Sequence, residues 1–334
     1  MLKEIEIQNF RCFEQIKISG FERVNLIGGK NNAGKTSLLE AIFLNVAPDI
    51  SSIVMLRELR RESAGLDTMP DKAWNNLFYA LKKDITIVIE GKDNNNNTER
   101  VEIRLESDSR DSSIIMELIK NEGTLHELVE RITNRSSIPN KSFTIYEIPI
   151  VPPFIRIPGR KLIEAYDKAR FDDKDSEILK AFQLIDPTIE SVESFSIGEP
   201  MLYLRRKGEK RLPLSLFGDA MNRVAYIILK LVNSENKILL IDEIENGIHY
   251  TNQRDFWRML FRLAVELDTQ IFATTHSLEM LQAFADVGLE PNQECNSAYF
   301  ELAKKPKTNQ IIGIRRDLET LNYALEHQKG VRGE

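Results

Sequence analysis

The sequence predicts an α/β chain with a parallel core sheet built around a phosphate-binding loop, an antiparallel β layer at its N-terminus and an inserted, mainly helical lobe. Three observations predict it. GKNNAGKTS, from Gly29 to Ser37, has a glycine, four residues, then Gly34, Lys35 and Thr36, set between the apolar run at 24–27 and the helix-forming LLEAIF. KILLIDEIENGIHY contains an unbroken apolar run at 238–241, suited to a strand buried on both faces, with Asp242 and Glu243 at its end. The opening MLKEIEIQNF alternates charged and apolar residues with the period of a half-buried strand.

In chain order, residues 2–7 and 15–19 alternate as two strands, with Phe10, Arg11, Cys12 and Phe13 as the bend that sets Arg11 beside the loop. At the loop a strand ends, the chain wraps tightly and a helix begins. Successive backbone N–H groups and the positive end of the helix dipole therefore converge where an anionic phosphate belongs. Gly29 and Gly34 permit the turn, Asn31, Asn32, Ala33 and Ser37 complete the cradle, Lys35 reaches the β- and γ-phosphates, and the Thr36 hydroxyl ligates Mg²⁺. An accidental glycine turn before a helix is the alternative. With both flanks in place, the sequence predicts a nucleoside triphosphate site.

Beyond the loop helix, residues 55–63 form a basic, helix-like segment, and Trp74, Leu77, Phe78 and Leu81 predict a helix over 73–81. Residues 85–90 and 100–106 alternate as strands around the polar turn GKDNNNNT. From about 111 to 194 the texture changes. SIIMELIKN, GTLHELVERI, IEAYDKARF and SEILKAFQLIDP all predict helices, interrupted by the stiff VPPFIRIPG, so this stretch is the lobe, and 1–110 with 195–334 form a discontinuous core. Without sustained heptads, a long coiled-coil arm is excluded. MLYLRRKGEKRLPL predicts a hairpin turning at Lys207 and Gly208; its cluster Arg205, Arg206, Lys207, Lys210 and Arg211 is either a solvated tip or a contact for phosphate backbones. A further hairpin around AKKPKTNQ and a helix over 317–327 close the chain.

The carboxyl edge of an open α/β sheet is where ligands sit, so Asp242 and Glu243 come beside the loop. Asp242 would hold Mg²⁺ opposite Thr36, and Glu243 would orient and deprotonate the attacking water; a plain acidic turn is the alternative. QIFATTHS brings His276 to the same edge as a γ-phosphate sensor, although a lone histidine is more often structural. LPLSLFGDAMNRVAYIILKLV reads as a turn with Ser215, Gly218 and Asp219 before a helix so apolar that it must be buried. That helix start is a second anion site, suited to the nucleotide of another subunit, or else an ordinary cap.

Composition narrows the class of protein. The 334 residues are 42% hydrophobic with a formal charge of −6, which argues against coating nucleic acid by bulk electrostatics. Cys12 and Cys295 have no metal-like spacing, and no apolar run approaches membrane-spanning length. A cytoplasmic chain, neither exported nor embedded in a membrane, is expected.

The blocks IEIQNFRCFEQIKI, VNLIGGKNNAGKTSLLEAI, LPLSLFGDAMNRV, ILLIDEIENGIH and IFATTHSLE resemble the P-loop ATPases of ABC type, in particular the RecF, SMC and OLD heads and their compact bacterial AAA-type branch. The resemblance covers most of 1–50 and 200–285. It implies a head-to-tail dimer, or a higher even-numbered oligomer, sandwiching two ATP molecules between one subunit's Walker A residues, Gly34, Lys35 and Thr36, and the other's signature turn with Ser215 and Gly218. Asp242 and Glu243 become Walker B, and His276 the switch histidine. Three departures stand out: SLFGDA in place of LSGGQ, no glutamine between Thr36 and residue 183, and His249 where many relatives carry an aspartate. These imply slow or partner-dependent hydrolysis. The resemblance further implies an ATPase switch governing DNA or a nuclease or toxin effector, in defence against phage or DNA maintenance. A transporter's ATP-hydrolysing subunit and a nucleotide-gated scaffold with little turnover are the alternatives.

Overall fold

In the computed structural model, residues 1–60, 62, 74–108, 111–120, 125–133, 148–153, 159–196, 198–234, 237–327 and 329–331 are described. The core sheet follows from its apolar runs. Strands β3 (Val24–Gly29), β12 (Ile238–Ile241), β13 (Gln270–Thr274) and β14 (Ser297–Lys304) lie parallel, flanked by the short β8 (Ile150–Val151) and the antiparallel β15 (Ile311–Arg316), in the order β15-β14-β3-β13-β12-β8. Successive side chains of a strand point to opposite faces, so each run feeds two cores. Leu239, Ile241, Ile271, Ala273 and Tyr299 enter one; Ile238, Leu240, Phe272, Ala298 and Phe300 enter the other.

On the second of these faces lies helix α1 (Lys35–Val46), with Leu38, Leu39, Ile42 and Phe43 fully buried. A six-stranded antiparallel sheet covers it, in the order β2-β1-β4-β5-β6-β7. Its members are β1 (Leu2–Phe10), β2 (Phe13–Ser19), β4 (Ile87–Asp93), β5 (Thr98–Asp108), β6 (Asp111–Lys120) and β7 (Leu125–Thr133). Ile5 opposes Ile18 and Ile7 opposes Ile16, so the charged members of the N-terminal alternation face outward.

Two expectations are corrected here. Over their described residues SIIMELIKN and GTLHELVERI are strands β6 and β7, and residues 111–120 and 125–133 extend the N-terminal sheet instead of opening a helical lobe. In SIIMELIKN both Ile114, Met116 and Leu118 and the intervening Ile115 are buried, a pattern that fits either period. The predicted helix over 73–81 is two 3₁₀ turns, Asn75–Leu77 and Tyr79–Leu81, broken by an extended Phe78 and by left-handed Ala80 and Leu81. Residue 73 lies outside the described residues, as do 61 and 63 of the basic segment, whose helix α2 runs Ile50–Leu59.

Beyond 133, IEAYDKARF and SEILKAFQLIDP are helical as expected, in α3 (Gly159–Phe171) and α4 (Asp175–Ile185), but 150–151 belong to the core sheet and strand returns at 189, before the expected end of the lobe at 194, in the sheet of β9 (Ile189–Phe195), β10 (Met201–Arg206) and β11 (Leu212–Pro213). Of VPPFIRIPG, residues 154–158 lie outside the described residues. Leu162, Tyr166, Ile178 and Phe182 share one core with helices α5 (Gly218–Val232) and α6 (Gln253–Glu266) on the opposite face of the core sheet. Helices α7 (Leu278–Gly288) and α8 (Leu318–Glu326) complete that layer. No helix among the described residues is long and apolar enough to cross a membrane.

Candidate nucleotide site

The loop adopts the shape its glycines permit. Gly34 has φ +94, and a Cβ there would stand 2.9 Å from both Cys12 Sγ and Phe13 Cζ, so the bend after β1 packs directly against the loop and excludes any larger residue. Asn32 is left-handed at φ +61, Asn31 and Asn32 are exposed, and Ala33 and Ser37 are buried. Lys35 Nζ lies back across the turn, donating to the carbonyls of Gly29 at 2.8 Å and Lys30 at 3.0 Å. These are backbone acceptors that a phosphate can replace.

Strand β12 delivers the acidic pair. Asp242 is 5% exposed; its Oδ2 accepts from Thr36 Oγ at 2.8 Å and its Oδ1 from Thr274 Oγ at 2.5 Å. Burial pushes its carboxyl above the usual range, against the pull of the two hydroxyls. A hydroxyl and a carboxylate this close, both hard oxygen donors, fit an Mg²⁺ ion. That ion would rest on Thr36 and Asp242 and supply charge neutralisation beside the phosphates.

Glu243 has φ +47, a conformation that costs about 1–3 kcal/mol for a non-glycine residue. The strain is held from both sides. Its N–H donates to Thr274 Oγ at 2.8 Å, and its carbonyl accepts from Arg223 Nη2 at 3.0 Å. Its carboxylate accepts from Asn246 Nδ2 at 2.8 Å, which orients it. His276, past the end of β13, lies against Glu245, with Nδ1 2.8 Å from Oε1.

Together Arg11, Lys35, Thr36, Asp242, Glu243 and His276 line one open cleft of about 960 Å³. That is at the upper end of the roughly 300–1,000 Å³ of small-molecule sites. Arg11 is 9% exposed, donates to Glu40 at 3.0 Å and to the Asn76 carbonyl at 2.9 Å, and keeps its Nη2 buried without a hydrogen-bond partner among the described residues. Glu40 also accepts from Arg60, at 2.5 and 3.0 Å. Beside the acidic pair, β8 brings Pro152 and Pro153 to the cleft, and no glutamine.

Ser215 and Gly218 are not brought to this cleft within one chain. Ser215 sits in a 3₁₀ turn, Leu214–Phe217, exposed beside Leu216 at 69%, and Gly218 has φ +87 with open space around it. His249 is exposed, and its Nδ1 meets Thr251 Oγ at 2.9 Å. The basic hairpin is largely neutralised: Arg205 faces Glu190 at 3.6 Å, Arg206 meets Asp186 at 2.8 Å and Arg211 meets Glu193 at 2.6 Å.

Two residues of the site escaped the sequence reading. Arg223 reaches from α5 to donate to the carbonyls of Pro152, Pro153, Asp242 and Glu243 at 2.9–3.1 Å, clamping the acidic turn. The signal was the one arginine in the first turns of a mostly apolar helix. Glu245 carried no local signal, because its partner His276 is 31 residues away.

The profile of the family described as "AAA domain, putative AbiEii toxin, Type IV TA system" matches residues 24–281. A protein of Helicobacter pylori named ATP/GTP phosphatase is 24% identical over 378 residues, spanning the whole of both chains. The DNA double-strand break repair Rad50 ATPase of Archaeoglobus fulgidus is 50% identical over 44 residues, 13% of this chain and 5% of that protein. Among solved structures, an SMC head bound to the C-winged helix domain of ScpA matches with TM-score 0.53 at 13% identity, covering 96% of this chain and 98% of that one, a likeness of fold.

Proposed function

This chain is an ATPase that belongs to the AAA-domain family matched over residues 24–281, and on that premise we propose that it is an ATP-gated switch: two copies close on bound nucleotide and part on hydrolysis. The observation that carries the reading is the Ser215–Gly218 corner. It crowns the N-terminus of the 15-residue helix α5, is exposed, and is not used by its own chain's phosphates. A head-to-tail partner supplies the nucleotide it lacks, and Ser215 with the Gly218 backbone meets that nucleotide's phosphates.

Within each site Lys35 binds the β- and γ-phosphates, and Glu243, aimed by Asn246, takes a proton from the attacking water. His276 addresses the γ-phosphate. The closing and opening are passed to a separate effector protein, a nuclease or toxin, or to DNA, in a cytoplasmic setting of phage defence or DNA maintenance.

Glu243→Gln tests the reading. Turnover should fall by about 10²- to 10⁴-fold with binding intact. Light scattering in saturating ATP should then give a dimer mass. A monomer under those conditions, or unchanged turnover, sinks the reading.

A further inference from the structure

Glu245 has no part in the acidic pair, yet its side chain is only 10% exposed, a costly place for a charge. Its Oε1 accepts the backbone N–H of His276 at 2.8 Å and faces Nδ1 of the same residue at 2.8 Å. Its Oε2 is buried with no hydrogen-bond partner among the described residues. An ionised carboxylate only accepts, so Nδ1 must carry the proton. The opposite ring edge, with Nε2, then turns away from Glu245, in a residue that lines the nucleotide cleft. Two bonds from one oxygen to one residue fix both the backbone and the ring of His276.

The second charge nearby is Arg223. Among the carboxylates acting on its buried guanidinium, Glu245 acts more strongly than Asp242 or Glu243. Glu245 therefore offers a favourable charge to the arginine that clamps the acidic turn as well as direct bonds to the histidine at the strand end. A carboxylate kept only for packing would be cheaper as an apolar residue of the same volume.

We propose that Glu245 is the positioning residue of His276, holding it in the Nδ1–H form so that Nε2 addresses the γ-phosphate. The inference rests on the role given to His276 above. In the neutral ring Nε2 is an acceptor for a proton shared with the phosphate or its water. The arrangement parallels the general way in which an outer carboxylate sets the tautomer and direction of a working imidazole.

The test is a double-mutant cycle on the full chain with His276→Ala, Glu245→Ala and the pair, read as kcat and KM, beside nitrogen-15 spectra of the histidine rings. Glu245→Ala should lower kcat by about 10- to 100-fold, the usual size of such a loss, with KM within about twofold. Added to His276→Ala it should change kcat by less than about threefold, because it acts through the ring already removed. The His276 spectrum should move from the Nδ1–H to the Nε2–H pattern. Glu245→Gln, which keeps an acceptor, should retain part of the rate and the wild-type spectrum, and covers the case in which the alanine variant does not fold. Multiplicative losses in the cycle, or an unchanged tautomer in Glu245→Ala, overturn the proposal. Should the wild type itself hydrolyse no ATP, the switch reading fails, and the spectra still decide the role of Glu245.

Discussion

Asp242→Asn is expected to stabilise the empty protein while destroying its chemistry. Asp242 is 5% exposed, and burial holds its carboxyl above the ordinary value, so the native chain takes up a proton more readily than the unfolded chain does. Stability contributed by this group therefore falls as pH rises from the unfolded value of about 4 through the higher native value, and the penalty is present in full above that. Asparagine keeps the shape. Its oxygen can still accept from Thr274 and its amide can donate to Thr36, so the variant sheds the buried charge without opening a cavity. Removing such a functional cost is worth about 0.5–2 kcal/mol. At about 2.1 cal/mol/K of unfolding entropy per residue, a chain of this length gains roughly 1–3 °C in Tm. Calorimetry without nucleotide or Mg²⁺, from about pH 5 to about pH 8, checks this, and the gap should narrow as pH falls. With Mg²⁺ and ATP at about 100 times Kd the order should invert, since ligand adds about 2.7 kcal/mol to the wild type alone. A variant that melts below the wild type at neutral pH, or a gap that does not move with pH, refutes the reasoning.

Lys35→Ala should abolish nucleotide binding in a calorimetric titration, because the ammonium now resting on the Gly29 and Lys30 carbonyls is the charge that meets the phosphates; retained affinity contradicts the site. Arg223→Met should cost about 2–4 kcal/mol in denaturant unfolding, as four carbonyl bonds are lost and the left-handed Glu243 is released. A loss below about 0.5 kcal/mol would mean that the clamp carries nothing. The Cys295 thiol, pushed up to about 12 by burial, should resist a thiol reagent near neutral pH until the protein unfolds. Rapid native labelling at Cys295 would contradict its environment.

The loop, the acidic strand and the histidine strand were all legible because each is a local signal: an apolar run that ends in polar residues within ten positions. Lys35, Thr36, Asp242, Glu243 and His276 accordingly fall around one cleft. The antiparallel layer was legible at 2–19 for the same reason, since strict alternation admits one reading. At 113–120 and 125–133 it was not. Glu, Leu and Lys favour helices locally, and only the pairing of β6 with β5 decides otherwise. Over 74–81 the spacing named Trp74, Leu77, Phe78 and Leu81; the first three are core, but the backbone is broken at Ala80 and Leu81 is exposed. Burial pattern and helical geometry are separate facts there. Glu245 and Arg223 act across 31 and about 20 residues of sequence, and no window along the chain spans such a pairing.

The order of strands in the core sheet has a consequence for how the protein is born. On the ribosome β3 emerges early, but its neighbours β13 and β14 begin at residues 270 and 297. At about 5–20 residues per second, the Walker A strand waits roughly 12–50 seconds for a partner, while the N-terminal antiparallel sheet already has its whole complement. A nascent chain therefore carries a lone apolar strand of its own beside a finished layer, and nucleotide capture is among the last abilities it acquires.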